Sequence, residues 1–530
     1  RRHTRSFHVT GVQTCALPIS ALMWAVLAGV LHACSFSWPA TGQALGAVQV
    51  LALSVLAGLW WRCTAWQPAL ALGWTFATAH GVATTWWLYV SMHQHGGLSA
   101  PLAALAVMAL QAALGLYLAL ALACAAWLCG ARTGGWVKAA AFAGAWLLAE
   151  LARAQWFTGF PWGSAGYAHV DSALAVLAPY VGVYGIGAVT ALLAMGVAWA
   201  WRQRSALTRS GAMVMVLALL LALSSAWRAP DSTQPATTVP LTLLQGNVPQ
   251  DQKYNAQRES ALNWYVEQAR AAPAGLTLAP EIAIVYPTAA WTEDVWQALR
   301  PQTTDRALML GAPWQAPGVL ANSVLAWAGT EASTPRNGYR YDKHHLVPFG
   351  EFIPPGFAWF VHAMNIPMGE FARGDLPQPT WRWGGLNWAP NICYEDLFGE
   401  ELARALTGEQ PANVLVNFSN IAWFGDTVAQ TQHLNISRMR TLELQRPMVR
   451  ITNTGTTAVI DHQGRVLSRL PTWTRDVLHT QVTGREGPPT PYARWVSSWG
   501  LWPLWVIGLC LLLCVRVVPP SPSPSGRGLG

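Results

Sequence analysis

Residues 228–248 read RAPDSTQPATTVPLTLLQGNV, and this stretch divides the chain. Its first part, 228–240, is polar and punctuated by proline, the composition of a linker. Its second part, 239–248, is an apolar, β-rich run closing on Gly-Asn, which reads as a strand ending in a turn. Upstream, long apolar runs cover roughly 19–37, 43–61, 68–92, 102–129, 136–157, 173–201 and 211–227. Each approaches or exceeds the ~20 residues that carry a helix across the hydrocarbon core. Downstream, charges, Gly/Pro turns and short strand-like runs take over, until VSSWGLWPLWVIGLCLLLCV (496–515) supplies one more apolar helix. The expected architecture is a polytopic α-helical membrane domain at 19–227 with about seven spans, the linker, an α/β domain at 241–494 and a transmembrane helix at 495–517. Residues 1–18 contain GVQTCALP, which resembles translated adapter sequence, and are set aside as a non-native or disordered leader. The Pro/Ser/Gly-rich end, 518–530, reads as a disordered tail.

Composition excludes several classes. Of 530 residues, 52% are hydrophobic and only 11% charged, against about 25% charged in soluble domains. That rules out a wholly soluble enzyme, a disordered chain or a fibrous repeat. The 31 tryptophans fit the membrane–water boundary, where Trp concentrates. The net charge of +8 comes without the Lys/Arg run of a nucleic-acid patch, so nucleic acid is not an expected partner. Basic residues are instead distributed by side: Arg62, Arg132, Lys138, Arg202, Arg204, Arg209 and Arg516 fall in alternate loops. The opposite short loops at 38–42, 93–101 and 158–172 have none. The positive-inside rule then puts the α/β domain outside the cytoplasm, on the periplasmic face of a bacterial inner membrane. The eight cysteines form neither CxxC pairs nor a disulfide framework, and Cys393 alone lies in the polar half.

Within that half, strands are expected at 239–248, 275–281, 306–313, 386–395 and 412–420, with helices at 259–272 and 431–446. Glu281 follows one strand in LTLAPE, Cys393 follows another in NICYED, and Lys343 sits in YDKHHLVPFGE. A thiol, a carboxylate and an ammonium are the parts of a nucleophilic acyl-transfer site: one attacks, one moves protons, one steadies the oxyanion. Any domain this size contains all three, so residue type alone leaves Cys393 open as a buried structural thiol and Lys343 as a solvated loop residue.

The surrounding strings are more specific. LAPE, KHHLVPFGE and NICYE, in that order, resemble the Glu–Lys–Cys signature of the nitrilase (carbon–nitrogen hydrolase) superfamily. With apolar spans on both sides, and with AWFGD and TNTGTTAVID further on, the resemblance narrows to the apolipoprotein N-acyltransferase family and covers about residues 20–515. It implies a nitrilase-like αββα sandwich outside the membrane, with Glu281, Lys343 and Cys393 as catalytic residues. Cys393 would take an acyl chain as a thioester, Glu281 would be the general base, and Lys343 with the backbone N–H of Tyr394 would hold the oxyanion. Glu351 and Glu395 match supporting carboxylates; salt-bridge or capping roles are the alternatives. The implied donor is a membrane phospholipid, of the phosphatidylethanolamine kind. The implied acceptor is the N-terminal amine of a diacylglyceryl apolipoprotein. No metal and no cofactor are implied. Tyr254, Trp423 and Phe424 are the lipid-binding candidates the resemblance implies: Tyr254 keeps an aromatic for a stacking or lid role, and Trp423 and Phe424 match a loop beside the family's lipid pocket but read equally as core aromatics.

Two departures stand out. QGNVPQDQKYN offers Tyr254 where the family often has Trp, and SNIAWFG has Ile421 where it carries an acidic residue. His344, His345 and His433 are expected in structural roles. Glu150 and Arg153, one helical turn apart, are expected to pair at the membrane edge. The competing functions are a membrane-tethered amidase of the nitrilase type and a non-catalytic lipid-binding scaffold. A transporter is disfavoured by the scarcity of ionisable residues in the spans.

Overall fold

The computed structural model describes residues 18–130, 133–202, 230–255, 257–329, 338–359 and 370–516. The expected leader up to residue 17, the apolar run 211–227 and the tail lie outside the described residues. Among the described residues, six helices of fifteen residues or more form the N-terminal half: α1 (Ile19–Phe36), α2 (Gly46–Trp60), α3 (Trp66–Thr85), α4 (Ala100–Leu128), α5 (Gly135–Gln155) and α6 (Ala178–Arg202). By length and apolarity, α1, α4 and the segment Ala173–Arg202 each suffice to cross a membrane. At 15 residues α2 is short for a span, while α3 and α5 have the length but carry more polar residues. Large apolar side chains such as Trp24, Leu51, Leu105 and Trp127 face outward, the side a lipid tail would cover.

The second half is built on two six-stranded sheets. One has the order β12 (Asp476–Glu486), β1, β2, β3, β4, β5 and the other β11 (Val466–Arg469), β10 (Ala458–Ile460), β9, β8, β7, β6 (Trp381–Trp383). In the first, β1 (Gln234–Gln245), β2 (Gly275–Ala279) and β3 (Arg306–Ala316) run parallel, followed by antiparallel β4 (Val319–Ala328) and β5 (Tyr339–Asp342). In the second, β7 (Leu386–Ile392), β8 (Val414–Ser419) and β9 (Met448–Thr452) are the parallel centre. Strand periodicity assigns each side chain to a layer. Ala307 and Met309 of β3 pack between the sheets with Val414, Val416 and Phe418 of β8, whereas Leu308 and Leu310 face outward. That outer face is covered by α7 (Arg258–Ala271) and α8 (Glu293–Leu299). The outer face of the second sheet is covered by α9 (Ala429–Leu444), and the apolar cluster there continues without a break into Phe36, Trp87, Leu147 and Tyr167 of the membrane half. The result is the expected αββα sandwich, with one helix layer shared with the membrane domain.

Two boundaries differ from the sequence reading. Strand β1 begins at Gln234, inside the stretch read as linker, because Gln234 pairs opposite Glu486 of β12 (Asp476–Glu486). The C-terminal apolar segment is not one helix but two, α10 (Pro491–Trp499) and α11 (Trp502–Leu513), bent by 94°. Gly500 ends α10 with φ +57°, where a Cβ would be strained, and Pro503 opens α11. Helix α11 then packs on α5 through small residues: a Cβ at Gly144 would lie 2.7 Å from Gly508 O and 2.7 Å from Leu512 N. In a bilayer such close backbone approach replaces the hydrophobic effect as the source of helix association. Gly144→Val is therefore expected to prise α11 from α5 and to lower stability by about 1–3 kcal/mol. Thermal unfolding in detergent checks this; an unchanged midpoint would remove the contact from any structural role.

Candidate active site

Glu281, Lys343 and Cys393 each sit just past the C-terminal end of a strand, β2, β5 and β7 respectively. In α/β sheets that edge is where loops are free to carry chemistry. The folded chain brings the three together. Lys343 Nζ lies 3.3 Å from Glu281 Oε1 and 2.9 Å from Glu351 Oε1, with the lysine 1% exposed. Asn322 of β4 completes this contact by donating at 2.8 Å to each of the same two oxygens. The outer oxygen of Glu281 accepts from Asn420 N at 2.8 Å, and that of Glu351 from Val347 N at 2.8 Å. Four of the donors that hold the two carboxylates are thus fixed before any substrate arrives. Asn322 escaped the sequence reading, since an Asn inside an apolar strand gives no sign of what it faces.

The Glu281 turn is tight. Ile282 has φ +45°, unusual for a β-branched residue, and the turn lies directly on β3. A Cβ on Gly311 would stand 2.6 Å from Pro280 O and 2.7 Å from Glu281 Cα, so only glycine allows this approach. Cys393 is also in the left-handed region, φ +53°, a conformation that costs a non-glycine residue about 1–3 kcal/mol. The backbone around it is tied to compensate. Its carbonyl lies 3.3 Å from His433 Nε2 and 3.4 Å from Asn417 Nδ2. Arg450, which can only donate, contacts His433 Nδ1 at 2.8 Å. That fixes the tautomer: Nδ1 accepts, Nε2–H donates, and burial together with the Arg450 charge holds the imidazole neutral.

Glu395 is a clamp rather than an acid waiting for substrate. It accepts from Tyr341 Oη at 2.9 Å and from the backbone N–H of Ile392, His344 and His345 at 2.6, 2.6 and 3.1 Å. This one carboxyl therefore joins the Cys393 turn to the Lys343 loop. Burial pushes it up to about 7, against the pull of the Ile392 N–H and the Lys343 charge. His344 and His345 are structural, as expected: His344 Nδ1 bonds Gly374 O, and His345 bonds Glu401 and Thr158 O while stacking on Phe398. Glu150 and Arg153 do pair, at 4.0 Å, and both fasten the loop after α5, through Ala165 N and Trp162 O.

The charges of Glu281, Lys343 and Glu351 all act on the Cys393 thiol. Burial first, then Glu281, pushes it up to about 12, with Lys343 pulling the other way. Burial would lower the Lys343 ammonium, but Glu351 and Glu281 outweigh it and keep the group protonated. The resting pair is a neutral thiol beside a carboxylate that is held by a permanent cation. Tyr394 directs its hydroxyl to Gly159 O at 2.8 Å. Its backbone N–H opens a 3-10 turn that starts at Cys393, a position with no partner inside the turn.

The three aromatics are placed differently from one another. Tyr254 is 46% exposed, within range of the Glu281 and Glu351 charges. Trp423 is 39% exposed and meets His95 edge-on at 5.7 Å. Phe424 packs into the shared core, 4.2 Å from Trp87 and 6.3 Å from Trp162 between ring centroids. Ile421, in the position of the family's acidic residue, is buried against Gly455.

Residues 241–487 match the family model described as carbon-nitrogen hydrolase, and residues 28–196 match the apolipoprotein N-acyltransferase N-terminal domain. The apolipoprotein N-acyltransferase of Verminephrobacter eiseniae is 46% identical over 508 residues, covering 91% of this chain and 93% of its own. That of Ralstonia nicotianae is 41% identical over 504 residues, covering 91% and 92%. Among solved structures, a carbon–nitrogen hydrolase superfamily protein of Xanthomonas campestris aligns over 50% of this chain and 96% of its own, with TM-score 0.34 and 15% identity.

Two results are expected from this geometry. Glu395→Ala strands four buried donors and should cost about 3 kcal/mol or more of stability, read as an earlier unfolding midpoint; a neutral outcome would deny the clamp. Alkylation of Cys393 by iodoacetamide, followed on its peptide by mass spectrometry, should be slow at pH 7. Because the thiol is raised, its ionised fraction and the rate should climb about tenfold per pH unit up to pH 10. A plateau below pH 9 would mean a stabilised thiolate instead.

Proposed function

The chain belongs to the apolipoprotein N-acyltransferase family, and we propose that it carries a fatty acyl group from a membrane phospholipid, through a thioester on Cys393, to the N-terminal amine of a diacylglyceryl apolipoprotein. The observation that carries the reading is the buried Lys343 held between Glu281 and Glu351, with all three charges acting on the Cys393 thiol. A thiol raised to about 12 cannot wait as a thiolate, so proton transfer must accompany attack. As Sγ bonds the ester carbonyl carbon, its proton passes to Glu281. The carbonyl oxygen becomes an oxyanion facing Lys343 Nζ and the Tyr394 N–H. Collapse breaks the acyl C–O bond, and Glu281 returns its proton to the departing glycerol oxygen of the lysophospholipid. In the second half the acceptor amine attacks the thioester, Glu281 takes the amine proton, and the sulfur leaves to be reprotonated. Losing one oxyanion donor typically costs about 2.7–4 kcal/mol of barrier.

The membrane setting follows from the substrates. Withdrawing a diacyl lipid from a bilayer costs about 0.8 kcal/mol per methylene, so the thiol must be brought to the lipid. A phosphatidylethanolamine-type donor suits a site that needs only an ester at the outer leaflet. The periplasmic face of an inner membrane is favoured by charge. Lys138 and Arg202 neighbour each other at one end of α5 and α6, whereas the loop joining these helices at the other end, 156–177, touches the catalytic half through Tyr394 and Phe398 and has no Lys or Arg. Glu281, Lys343 and Cys393 are the catalytic residues of this proposal; Glu351 and Glu395 position them, and Tyr254 and Trp423 line the approach of lipid.

Incubating the protein with phospholipid and no acceptor should leave an acyl adduct on Cys393, and Cys393→Ala should abolish both adduct and turnover. Glu281→Gln should slow adduct formation by about 10²–10⁴-fold. Intact-mass spectra of wild type with no acyl adduct on this residue would overturn the mechanism.

A further inference from the structure

A second lysine lies in the site, and neither the catalytic set nor the supporting set includes it. Lys253 sits in the QGNVPQDQKYN segment, 245–255, which forms one wall of the site. The segment is pinned: Val248 exchanges hydrogen bonds with the Asn453 side chain at 2.9 and 2.8 Å, and Gln250 accepts from Asn420 Nδ2 at 3.0 Å. Asn420 is the same residue whose backbone N–H donates to Glu281. Lys253 is only 3% exposed, and lysine is almost never so buried without a partner. Yet it makes no ion pair among the described residues. Among the same residues its one acceptor is the backbone carbonyl of Glu281, 3.3 Å away, leaving two of three ammonium donors uncommitted there.

We infer that Lys253 is a positioning residue for acyl transfer, pinning the strained Glu281 turn and setting a second cation against Glu281 and Cys393. The inference rests on the acyl-transfer reading above. Lys343 alone cannot balance Glu281 and Glu351; with Lys253 the buried set is neutral. When the thiol proton moves to Glu281, negative charge leaves the carboxylate for the sulfur and then for the carbonyl oxygen. Lys253 neighbours both ends of that movement, so the charge never travels away from a counter-ion. Burial lowers its ammonium to about 8, with Glu281 and Cys393 the titratable groups that oppose the fall. Its charge is therefore present at neutral pH and lost as pH rises through that value. Arginine at this position would stay charged throughout.

The test uses full-length protein in detergent with phosphatidylethanolamine micelles and no acceptor, following the rate of Cys393 acylation by intact mass from pH 6 to 10. Wild type should lose rate above about pH 8, or flatten there while the thiol alone would keep it rising. Lys253→Met should slow acylation by about 100-fold and erase that bend, and Lys253→Arg should restore most of the rate and move the bend upward. A Lys253→Met enzyme that acylates at the wild-type rate with the wild-type profile overturns the inference. If that variant does not fold, the Arg variant decides: an unshifted bend overturns it equally. Wild type that forms no acyl enzyme at any pH would fail the acyl-transfer reading itself, a result distinct from failure at Lys253.

Discussion

Everything in the catalytic half is arranged around one ammonium in the dark. Lys343 is buried and touches two carboxylates at 2.9 and 3.3 Å. Taking those charges out of water costs several kcal/mol each, so the arrangement survives only if every remaining lone pair is met. Asn322 bridges both carboxylates, Asn420 and Val347 supply backbone donors, and the Glu281 turn is squeezed against Gly311 to hold its place. Those donors come from β4, the β8 end and the Lys343 loop, so both sheets must be formed before the site exists. Stability and chemistry therefore share the same hydrogen bonds, and truncating any one of them leaves a buried charge without its partner.

Helix α9 does the corresponding work for the membrane half. One face holds His433 under the Cys393 carbonyl. Other side chains of the same helix reach into the bundle. Gln432 accepts from Trp87 Nε1 and Trp162 Nε1 and donates to Thr84 O, and Asn435 donates to Phe36 O and Gly42 O. Glu443 receives the Val183 N–H, while Arg440, paired with Glu443, lies over the Tyr167 ring. These are directional contacts inside an otherwise apolar interface, where slippage would strand each polar group.

What could be read from the chain was uneven for physical reasons. Strand–turn edges ending in Glu281 and Cys393 were visible because apolar runs stop at a polar residue. The helix around His433 was visible by its length. The outer strands of the second sheet were not: β10 (Ala458–Ile460) and β11 (Val466–Arg469) are short, three and four residues, and give no periodic signal. The extension of β1 back to Gln234 was hidden too, because QPATT has loop composition and becomes a strand only through pairing with β12. The two-helix C-terminal segment likewise depends on one glycine at positive φ within a run that reads as a single apolar segment. Asn322 and Lys253 were missed because a lone polar residue says nothing of its neighbours until the sheets are closed. Phe424 matched a lipid-side segment by its string, yet its ring is spent on Trp87 and Trp162.

The 94° elbow at Gly500 has a geometric corollary. Helix α10 buries Tyr492, Ala493 and Val496 against the shared core while Trp499 and Trp502 stand outward at the corner, and α11 then descends beside α5. A stiff right-angled bracket of this kind, bolted to the bundle below and to the sandwich above, works as a spacer. The Cys393 turn, tied through α9 to the same shared core, thereby keeps a constant distance from the bundle.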